Sequence, residues 1–265
     1  MTTLTAYTAS YPTPIHRAAA DAISNHFRGD DRVDAVLVTN SCARGQATPA
    51  SDLDMVVLMP PEILAAERAT LEATWQHLRA EHPALQALRR QGPFAHIHLD
   101  FSDGQFVPEH WDDGGGPDGF ELGVGNLVAY SAPLWARTTA FQELRDRWLP
   151  YYGESVRDER LVMVTNACRY DLSFIPFYAE RGLYFQAFDR LYKALQEFLQ
   201  GLFIARRTYA LAYNKWIQLQ VVDWLGLPEI YAELPKILQI TNLESDEVIE
   251  RATQLTHLAD RWLVS

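Results

Sequence analysis

Residues 37–59 constrain the fold of this chain more than any other stretch, because they place two carboxylates at the start of a strongly apolar run. From residue 51 the segment reads SDLDMVVLM. Successive side chains of a strand point to opposite faces, so Asp52 and Asp54 are predicted to share one face. Charges at the mouth of a core strand need a compensating partner. We therefore expect Asp52 and Asp54 to bind a cation together.

A second apolar run precedes this one and predicts its neighbour in a sheet. Residues 33–39 read VDAVLVT, and residues 41–45 read SCARG, which predicts a small polar turn. Two strands joined by a short connection pair as a hairpin-like unit. The turn leaves a gap of about the size of a phosphate group.

Composition predicts an ordinary globular chain. Of its 265 residues 48% are hydrophobic and 22% charged, which suffices for one large domain or two of modest size. The formal net charge of −11 argues against a nucleic-acid partner, because phosphate backbones are bound by clustered Lys and Arg. The cysteines Cys42 and Cys168 lack a metal-ligand spacing and predict neither a disulfide framework nor a zinc site.

No targeting or membrane segment is predicted. Residues 1–14 lack a basic segment followed by an apolar run, and no apolar stretch approaches the ~18 residues that a membrane span needs. We therefore expect a cytoplasmic protein without a membrane partner.

Helices are predicted on both sides of the two strands. Thr13-Pro14 reads as an N-cap followed by proline at the first helical position, and Gly29 marks the end of that helix. After a pair of prolines, residues 62–82 carry apolar side chains at helical spacing. This second, amphipathic helix should cover one face of the sheet.

The strictest alternation in the chain lies in residues 94–101 and predicts a third strand. Its polar residues His96, His98 and Asp100 share one face. The two histidines are interpreted as solvated residues of a half-exposed strand. Residues 103–119, rich in Gly, Asp and Pro, predict a long loop, a candidate cover for the site.

Residues 120–128, FELGVGNLV, predict a fourth strand with alternate apolar side chains facing the core. Glu121 then lies on the other face, near two glycines, which often mark the close approach of another group. We keep Glu121 as a second-choice general acid or base. An exposed strand carboxylate is the simpler interpretation.

Helical periodicity replaces the strand pattern after Ser131. Residues 149–153, LPYYG, predict a boundary between a domain of residues 1–150 and one of residues 151–265. The predicted helices span residues 155–181, 183–208, 213–225 and 244–263, with a shorter one between 228 and 240. The predicted fold class is therefore α+β, a small mixed β-sheet flanked by helices and followed by an all-α helical bundle.

The order of these motifs resembles the polymerase-β-like nucleotidyltransferase superfamily, most closely its small bacterial members, the aminoglycoside and lincosamide nucleotidyltransferases. These carry Gly-Ser-x-Ala-Arg-Gly followed by Ser-Asp-Leu-Asp; this chain carries NSCARG at residues 40–45 and SDLD at residues 51–54. Asn40 replaces the first glycine of the family, which allows positive φ and close approach to phosphate. Asparagine is among the next best tolerated residues there. We expect Asn40→Gly to restore backbone freedom and tighten nucleotide binding.

The resemblance implies catalytic roles for three carboxylates. Asp52 and Asp54 would bind magnesium, with ATP as the donor substrate. Asp100, on the strand that follows the pair, matches the family's third carboxylate. It would complete a second magnesium site and accept the proton of an acceptor hydroxyl.

The resemblance also implies a set of groups that bind the triphosphate. Small members of the family use a lysine of the helical domain for this purpose, and only three of the 23 basic residues here are lysines. The implied nucleotide-binding residues are Asn40, Ser41, Arg44 and Ser51, together with Lys193 and Lys215 of the helical half. A solvated surface lysine is the competing interpretation of the last two.

The function that the resemblance implies is Mg-dependent transfer of AMP from ATP to a hydroxyl of a small-molecule acceptor. The acidic composition favours a cationic acceptor such as an aminoglycoside, with Asp171, Glu180 and Glu197 as possible contacts. One alternative is a degenerate nucleotidyltransferase that binds a nucleotide or a protein without turnover. Another is an adenylyltransferase that modifies proteins. The acceptor, the base preference and the oligomeric state stay open at this point.

Overall fold

The computed structural model describes residues 7–263. The interpretation of residues 1–14 as lacking a targeting signal therefore falls partly outside the described residues. The fold is α+β, 58% helical, with a small mixed sheet of four strands. No helix in residues 7–263 is long and apolar enough to cross a membrane.

Helices and strands are interspersed as far as residue 148, and the regular elements described after it are all helical. The strands are β1 (Ala35–Val38), β2 (Leu53–Leu58), β3 (Ile97–Ser102) and β4 (Ala132–Ala136). The helices are α1 (Pro14–Arg28), α2 (Asn40–Arg44), α3 (Pro61–Glu81), α4 (Pro83–Arg89), α5 (Phe120–Val124), α6 (Ala140–Trp148), α7 (Glu154–Glu180), α8 (Tyr184–Ala205), α9 (Pro228–Ile237) and α10 (Glu247–Trp262). Two π-helical turns span Gly125–Ala129 and Leu219–Trp224.

The chain divides into two compact units. Unit 1 comprises the described residues of Met1–Phe106 together with Gly123–Leu149. Unit 2 comprises Val107–Leu122 together with the described residues of Pro150–Ser265. The segment Val107–Leu122 thus packs with the helical part of the chain, although it lies within residues 1–150 in sequence.

The sheet of unit 1 has the strand order β3-β2-β1-β4. Strand β1 pairs antiparallel with both β2 and β4, which confirms the predicted hairpin-like pairing of the first two strands. Strands β2 and β3 are parallel, with Asp54 opposite His98 and Val56 opposite Asp100. This register decides which polar side chains of β3 can reach the carboxylate pair.

One face of the sheet forms the core of unit 1. Leu53, Met55 and Val57 of β2 join Ile97, Leu99 and Phe101 of β3 in one cluster, together with buried residues of α1, α3 and α4. Helix α1 begins as its sequence predicts, because the Thr13 side chain accepts a hydrogen bond from the His16 backbone N–H and Pro14 is the first helical residue. Asp54, His98 and Asp100 lie on the opposite face, which also carries the buried side chains of Val56 and Leu58.

The core of unit 2 is a helical bundle. Leu191, Leu195, Phe198 and Leu202 of α8 are buried in it, as their helical spacing predicts, beside apolar residues of α7, α9 and α10. The predicted helices over residues 155–181, 183–208 and 244–263 are confirmed to within a few residues. Residues 213–216 do not form the predicted helix, because Trp216 has a φ of 57° and the helical stretch starts directly after it.

The predicted strand over residues 120–128 is wrong, since this segment is helical. Its apolar residues fit both periods: Phe120, Val124 and Val128 recur every four residues and are all buried. The fourth strand is instead β4, which the sequence analysis missed. Pro133 obscured it, but proline is tolerated on an edge strand, and the pairing of β4 with β1 is irregular at that point.

Candidate functional site

The turn between β1 and β2 is a short helix, α2, and not an open polar turn. Asn40 starts it with a φ of 52°, and Gly45 ends it with a φ of 71° and donates its backbone N–H to the Ser41 carbonyl oxygen. Asparagine and glycine are the residues that tolerate positive φ best, which explains their presence at these two positions. The Thr39 backbone N–H donates to the Asp54 carbonyl oxygen at 3.0 Å, so the start of α2 is fixed to β2.

Three potential metal ligands converge where β2 begins. Asp52, Asp54 and His98 each offer a ligand atom, and these atoms lie within 4.8 Å of one another. The His98 Nε2 atom is 3.6 Å from an oxygen of Asp52. The parallel register explains the third member, because it sets His98 directly opposite Asp54. The sequence analysis took His98 for a solvated residue.

Asp54 is the most perturbed carboxylate of the group. Its pKa is raised, chiefly because burial penalises the charged form and secondly because Asp52 is close; Asp100 adds a smaller effect of the same sign. A hydrogen bond from the Asn40 side chain and the charge of His98 oppose the rise. A divalent cation would supply the positive charge that this pair of carboxylates lacks.

The Asn40 side chain thus acts on Asp54 as well as fitting the positive φ of the turn. The expectation that Asn40→Gly tightens nucleotide binding treated Asn40 only as a tolerated substitute for glycine. The Asn40 side chain lies near enough to Asp54 to favour the ionised carboxylate, and glycine would preserve the positive φ but remove this effect. The effect of Asn40→Gly on binding stays a prediction, and its sign is tested below.

His16 positions the loop that leads into the pair, and the sequence analysis also missed it. Its side chain is fully buried on α1, and its Nε2 atom lies 3.0 Å from the Ser51 carbonyl oxygen. Its Nδ1 atom lies 2.8 Å from the Thr13 hydroxyl. Ser51 itself accepts the Thr48 N–H at 2.9 Å and closes the loop, so its hydroxyl already has a partner. A histidine in the first turn of a capped helix gives no sequence signal of this contact.

Two donors beside the pair lack partners among the described residues. The Ser41 hydroxyl and the Arg44 Nη1 atom are buried without a hydrogen bond, although Arg44 Nε donates to Gln46. Burial lowers the pKa of Arg44, while Tyr7, Tyr130 and, to a smaller extent, Asp54 act in the opposite direction. Buried polar groups without partners are rare, and an anionic ligand would satisfy both. The role of Asn40, Ser41 and Arg44 in binding a triphosphate stays a prediction.

Cys42 lies between these groups but has the wrong properties for a nucleophile. Burial and the charges of Asp54 and Asp52 raise the pKa of its thiol to about 11. The thiol is therefore protonated at neutral pH, whereas nucleophilic cysteines need a thiolate.

Asp100 shares the polar face of β3 but is not a member of the close group. It is exposed and pairs with Val56, one alternation further along the sheet than Asp54. Its charge still reaches Asp54, since it contributes to the raised pKa there. His98 thus has a potential ligand atom within 4.8 Å of those of Asp52 and Asp54, whereas Asp100 is not in this group.

Glu121 is a structural residue and not a free acid or base. It is fully buried in unit 2, where it accepts hydrogen bonds from Tyr152, Arg160 and Gln200 at up to 2.8 Å. Arg160 also donates to both oxygens of Asp118 at 2.8 Å. With its oxygens engaged, Glu121 cannot serve as the second-choice acid or base.

The two lysines implied to bind phosphate both belong to unit 2. Lys193 is partly buried on α8 and forms an ion pair with Asp189 at 2.8 Å. Lys215 is exposed in the irregular segment before the second π-helical turn. Their part in nucleotide binding stays a prediction.

Comparison with known proteins adds no family assignment, since no protein-family model matches the chain and no curated protein matches it either.

Proposed function

We propose that unit 1 binds a divalent metal ion and the triphosphate of a nucleotide, and that the protein transfers a nucleoside monophosphate, AMP from ATP, to a hydroxyl of a small acceptor. One observation carries this proposal: Asp52, Asp54 and His98 converge within 4.8 Å of one another. The buried hydroxyl of Ser41 and the guanidinium of Arg44, both with unsatisfied donors, come from the helix that precedes the pair. Anion donors and cation ligands in one short segment suit a metal–triphosphate complex.

The ligand set is compatible with magnesium and even better with manganese. Carboxylate oxygens suit Mg²⁺ and Mn²⁺, whereas imidazole nitrogen is a ligand of transition metals. Asp52 and Asp54 would hold the ion in either case. The metal would neutralise charge on the phosphate oxygens of an in-line displacement, as in other phosphoryl transfers. A second ion, with Asp100 as its further ligand, belongs to the same proposal.

The residues of this chain would contribute orientation and proton transfer. Asn40 would keep Asp54 ionised, and His16 would fix the loop that carries Asp52. Asp100 lies on the same face and is free of a hydrogen-bonded partner among residues 7–263, so it would accept the proton of the attacking hydroxyl. Ser41 and Arg44 would bind the triphosphate.

A second candidate is a nucleotide-binding or protein-binding module without turnover. The placement of Asp100 opposite Val56 favours it, because the metal group is complete without Asp100. Adenylyl transfer to a protein hydroxyl uses the same chemistry and differs only in the acceptor.

The deciding experiment measures pyrophosphate release from ATP with Mg²⁺ or Mn²⁺ and a panel of small hydroxylated amines and neutral polyols. Release that depends on both acceptor and metal, and is lost in Asp54→Asn, supports transfer to a small molecule. Manganese binding measured by electron paramagnetic resonance, without release, supports the binding module. If neither the metal nor ATP binds, the proposed site is wrong.

The lysines are tested in the same assay. Lys193→Ala or Lys215→Ala should raise the dissociation constant for ATP more than that for AMP if the ammonium group contacts the β- or γ-phosphate. Lys236→Ala is the matched control, because Lys236 is exposed and forms an ion pair with Glu233. Equal effects on the dissociation constants of ATP and AMP would support the interpretation of that lysine as a solvated surface residue.

A further inference from the structure

A cavity of about 170 Å³ lies entirely within unit 2. It is lined by Met163, Val164 and Ala167 of α7, by Glu197 and Gln200 of α8, and by residues of the loop 109–118. By the same measure a single water molecule needs about 10–15 Å³. The cavity therefore has room for a small organic ligand.

The wall of the cavity is acidic. Four of its described lining residues are carboxylates and none is a lysine or arginine; the carboxylates are Glu109, Asp112, Asp118 and Glu197. His110 is the one further titratable group among them. Asp118 is already paired, since it accepts two hydrogen bonds from Arg160 at 2.8 Å.

Glu197 has no such partner among the described residues. Its side chain is 1% exposed, and both carboxylate oxygens are buried without a hydrogen bond. Burial, followed by the charge of Asp171, raises the pKa of Glu197 to about 8. Trp111 is near enough to oppose this rise, but its indole N–H also lacks a hydrogen bond of normal geometry. Buried polar groups are almost always satisfied, so a carboxylate left in this state on a cavity wall points to a ligand.

The cations near Glu197 are engaged elsewhere. Arg190 forms an ion pair with Asp171 and lies over the rings of Tyr170 and Phe174, at 5.8 and 5.6 Å from their centroids. Lys193 forms an ion pair with Asp189 at 2.8 Å. Both lower the pKa of Glu197 through space, but neither donates a hydrogen bond to it. A bound cation would stabilise the ionised form of Glu197, which no described residue pairs with.

The loop that forms one wall is packed tightly on α8. Gly114 has a φ of 71°, and a Cβ atom there would lie 2.0 Å from a guanidinium nitrogen of Arg190. A Cβ atom at Gly116 would lie 3.4 Å from the Lys193 side chain. Trp111 packs edge-to-face on Tyr170, with ring centroids 4.9 Å apart. Because Gly114 and Gly116 have no side chain, the loop packs closely against α8. The Trp111 ring then lies beside the carboxylate of Glu197.

We propose that this cavity binds an organic ammonium ion, with the buried carboxylate of Glu197 as its counter-ion and the Trp111 ring against its hydrocarbon part. A cation next to an indole ring gains further attraction from the ring face. The proposal needs no step of nucleotidyl transfer, so either one can fail without the other.

The test is calorimetric titration of the full chain with 1,4-diaminobutane and, separately, with 1,4-butanediol, in 150 mM salt and EDTA without nucleotide. The two probes have the same chain length and differ in charge. The diamine should bind saturably, once per chain, and the diol at least tenfold more weakly. Glu197→Gln should weaken diamine binding at least tenfold, because a hydrogen bond to a charged group is lost. Glutamine matches the protonated carboxyl in shape, so this variant should fold.

Glu159→Gln is the matched control, since Glu159 is an exposed carboxylate of α7 to which no binding role is assigned. It should leave the affinity within twofold, whereas non-specific attraction of a diamine to an acidic protein would fall equally in both variants. Ala167→Leu, which fills the cavity, should abolish binding without a change of charge. The proposal is overturned if the diamine does not bind, if the diol binds equally well, or if Glu197→Gln binds the diamine as the wild type does.

Discussion

Asn40 has a φ of 52°, and its side chain lies near enough to the Asp54 carboxylate to lower the pKa of that group. Asn40 thus satisfies two requirements that glycine cannot satisfy together, since glycine permits the φ but has no donor. The contact offsets part of the cost of burying Asp54 beside Asp52. Asn40, which stands where the resembled family has glycine, is therefore part of the candidate site.

Asn40→Gly is expected to weaken Mn²⁺ binding by about 10–100-fold, the usual effect of removing a group that orients a metal ligand. Calorimetric titration with MnCl₂ measures it. Asn40→Ala should lose the same affinity and also destabilise the fold by about 1–2 kcal/mol, because alanine resists the left-handed region. Tighter metal or ATP binding by Asn40→Gly would restore the original interpretation of Asn40 as a mere replacement for glycine.

The raised pKa of Asp54 predicts how stability depends on pH. The folded protein holds the Asp54 proton more tightly than the unfolded chain, whose aspartates titrate near pH ~3.9. The stability that Asp54 contributes is therefore fully present below that pH and is lost as the pH rises through the folded pKa. In EDTA, Asp54→Asn should match the wild type near pH 4 and exceed it in melting temperature at pH 7.

Thermal melts between pH 4 and pH 8 test this prediction. Addition of Mn²⁺ should raise the melting temperature of the wild type and leave Asp54→Asn unchanged, because bound metal replaces the missing positive charge. Asp21→Asn is a suitable control, since Asp21 is an exposed carboxylate of α1. A wild type that gains stability relative to Asp54→Asn as the pH rises would show that Asp54 is stabilised, and not penalised, in its charged form.

His98 is expected to set the preference for the metal. As an imidazole ligand next to two carboxylates, it should favour Mn²⁺ over Mg²⁺. His98→Ala should weaken Mn²⁺ binding by at least about tenfold and change Mg²⁺ binding less. His96→Ala is the matched control, because His96 is an exposed neighbour whose ring centroid lies 6.1 Å from that of His98. Electron paramagnetic resonance of Mn²⁺ gives the affinities, and equal losses in both variants would exclude His98 as a ligand.

Glu121→Gln is expected to destabilise the protein without a specific effect on the metal site. Removing one partner of a buried ion pair leaves a buried charge, which costs about 3 kcal/mol or more. In this variant Arg160 would still pair with Asp118. The loss in the free energy of unfolding should therefore lie at the lower end of the usual range. Urea denaturation measures it, with Asp158→Asn, at the exposed partner of Arg157, as control. A variant of wild-type stability would contradict the structural role of Glu121.

The sequence was sufficient to predict those helices and strands that show a clear local periodicity of apolar side chains or a capping signal. The alternation in residues 94–101, the apolar run after Asp54 and the capped start of α1 each predicted an element that the structure confirms. Residues 120–128 failed because their apolar side chains fit both a strand and a helix. Only the partners of Glu121, 39 and 79 positions away at Arg160 and Gln200, settle the choice.

The candidate site was predictable in its carboxylates but not in its third member. Alternation alone sets Asp52 and Asp54 on one face. Whether His98 or Asp100 reaches them depends on the register of β3 against β2, and two parallel strands separated by about forty residues carry no local signal of it. The contact of His16 with the Ser51 carbonyl oxygen is equally non-local.

Asp100 distinguishes a working transferase from a module that only binds. Asp52, Asp54 and His98 suffice to hold one metal ion, so a protein without turnover could keep all three. In-line attack also needs a group that takes the proton of the acceptor hydroxyl. Asp100 is the exposed carboxylate on the same sheet face, close enough for its charge to act on Asp54.

We therefore expect Asp100→Asn to leave ATP binding within a few fold and to lower turnover by at least ~100-fold, the usual cost of removing a general base. Calorimetry gives the first quantity and pyrophosphate release the second. The control is Asp103→Asn, a change at a half-buried acidic residue just after β3, which should leave turnover unaltered. Full activity of Asp100→Asn together with loss in His98→Ala would transfer the role to His98. If the wild type binds ATP with metal but releases no pyrophosphate with any acceptor, the binding module is favoured. Asp100 would then have no acceptor hydroxyl from which to take a proton.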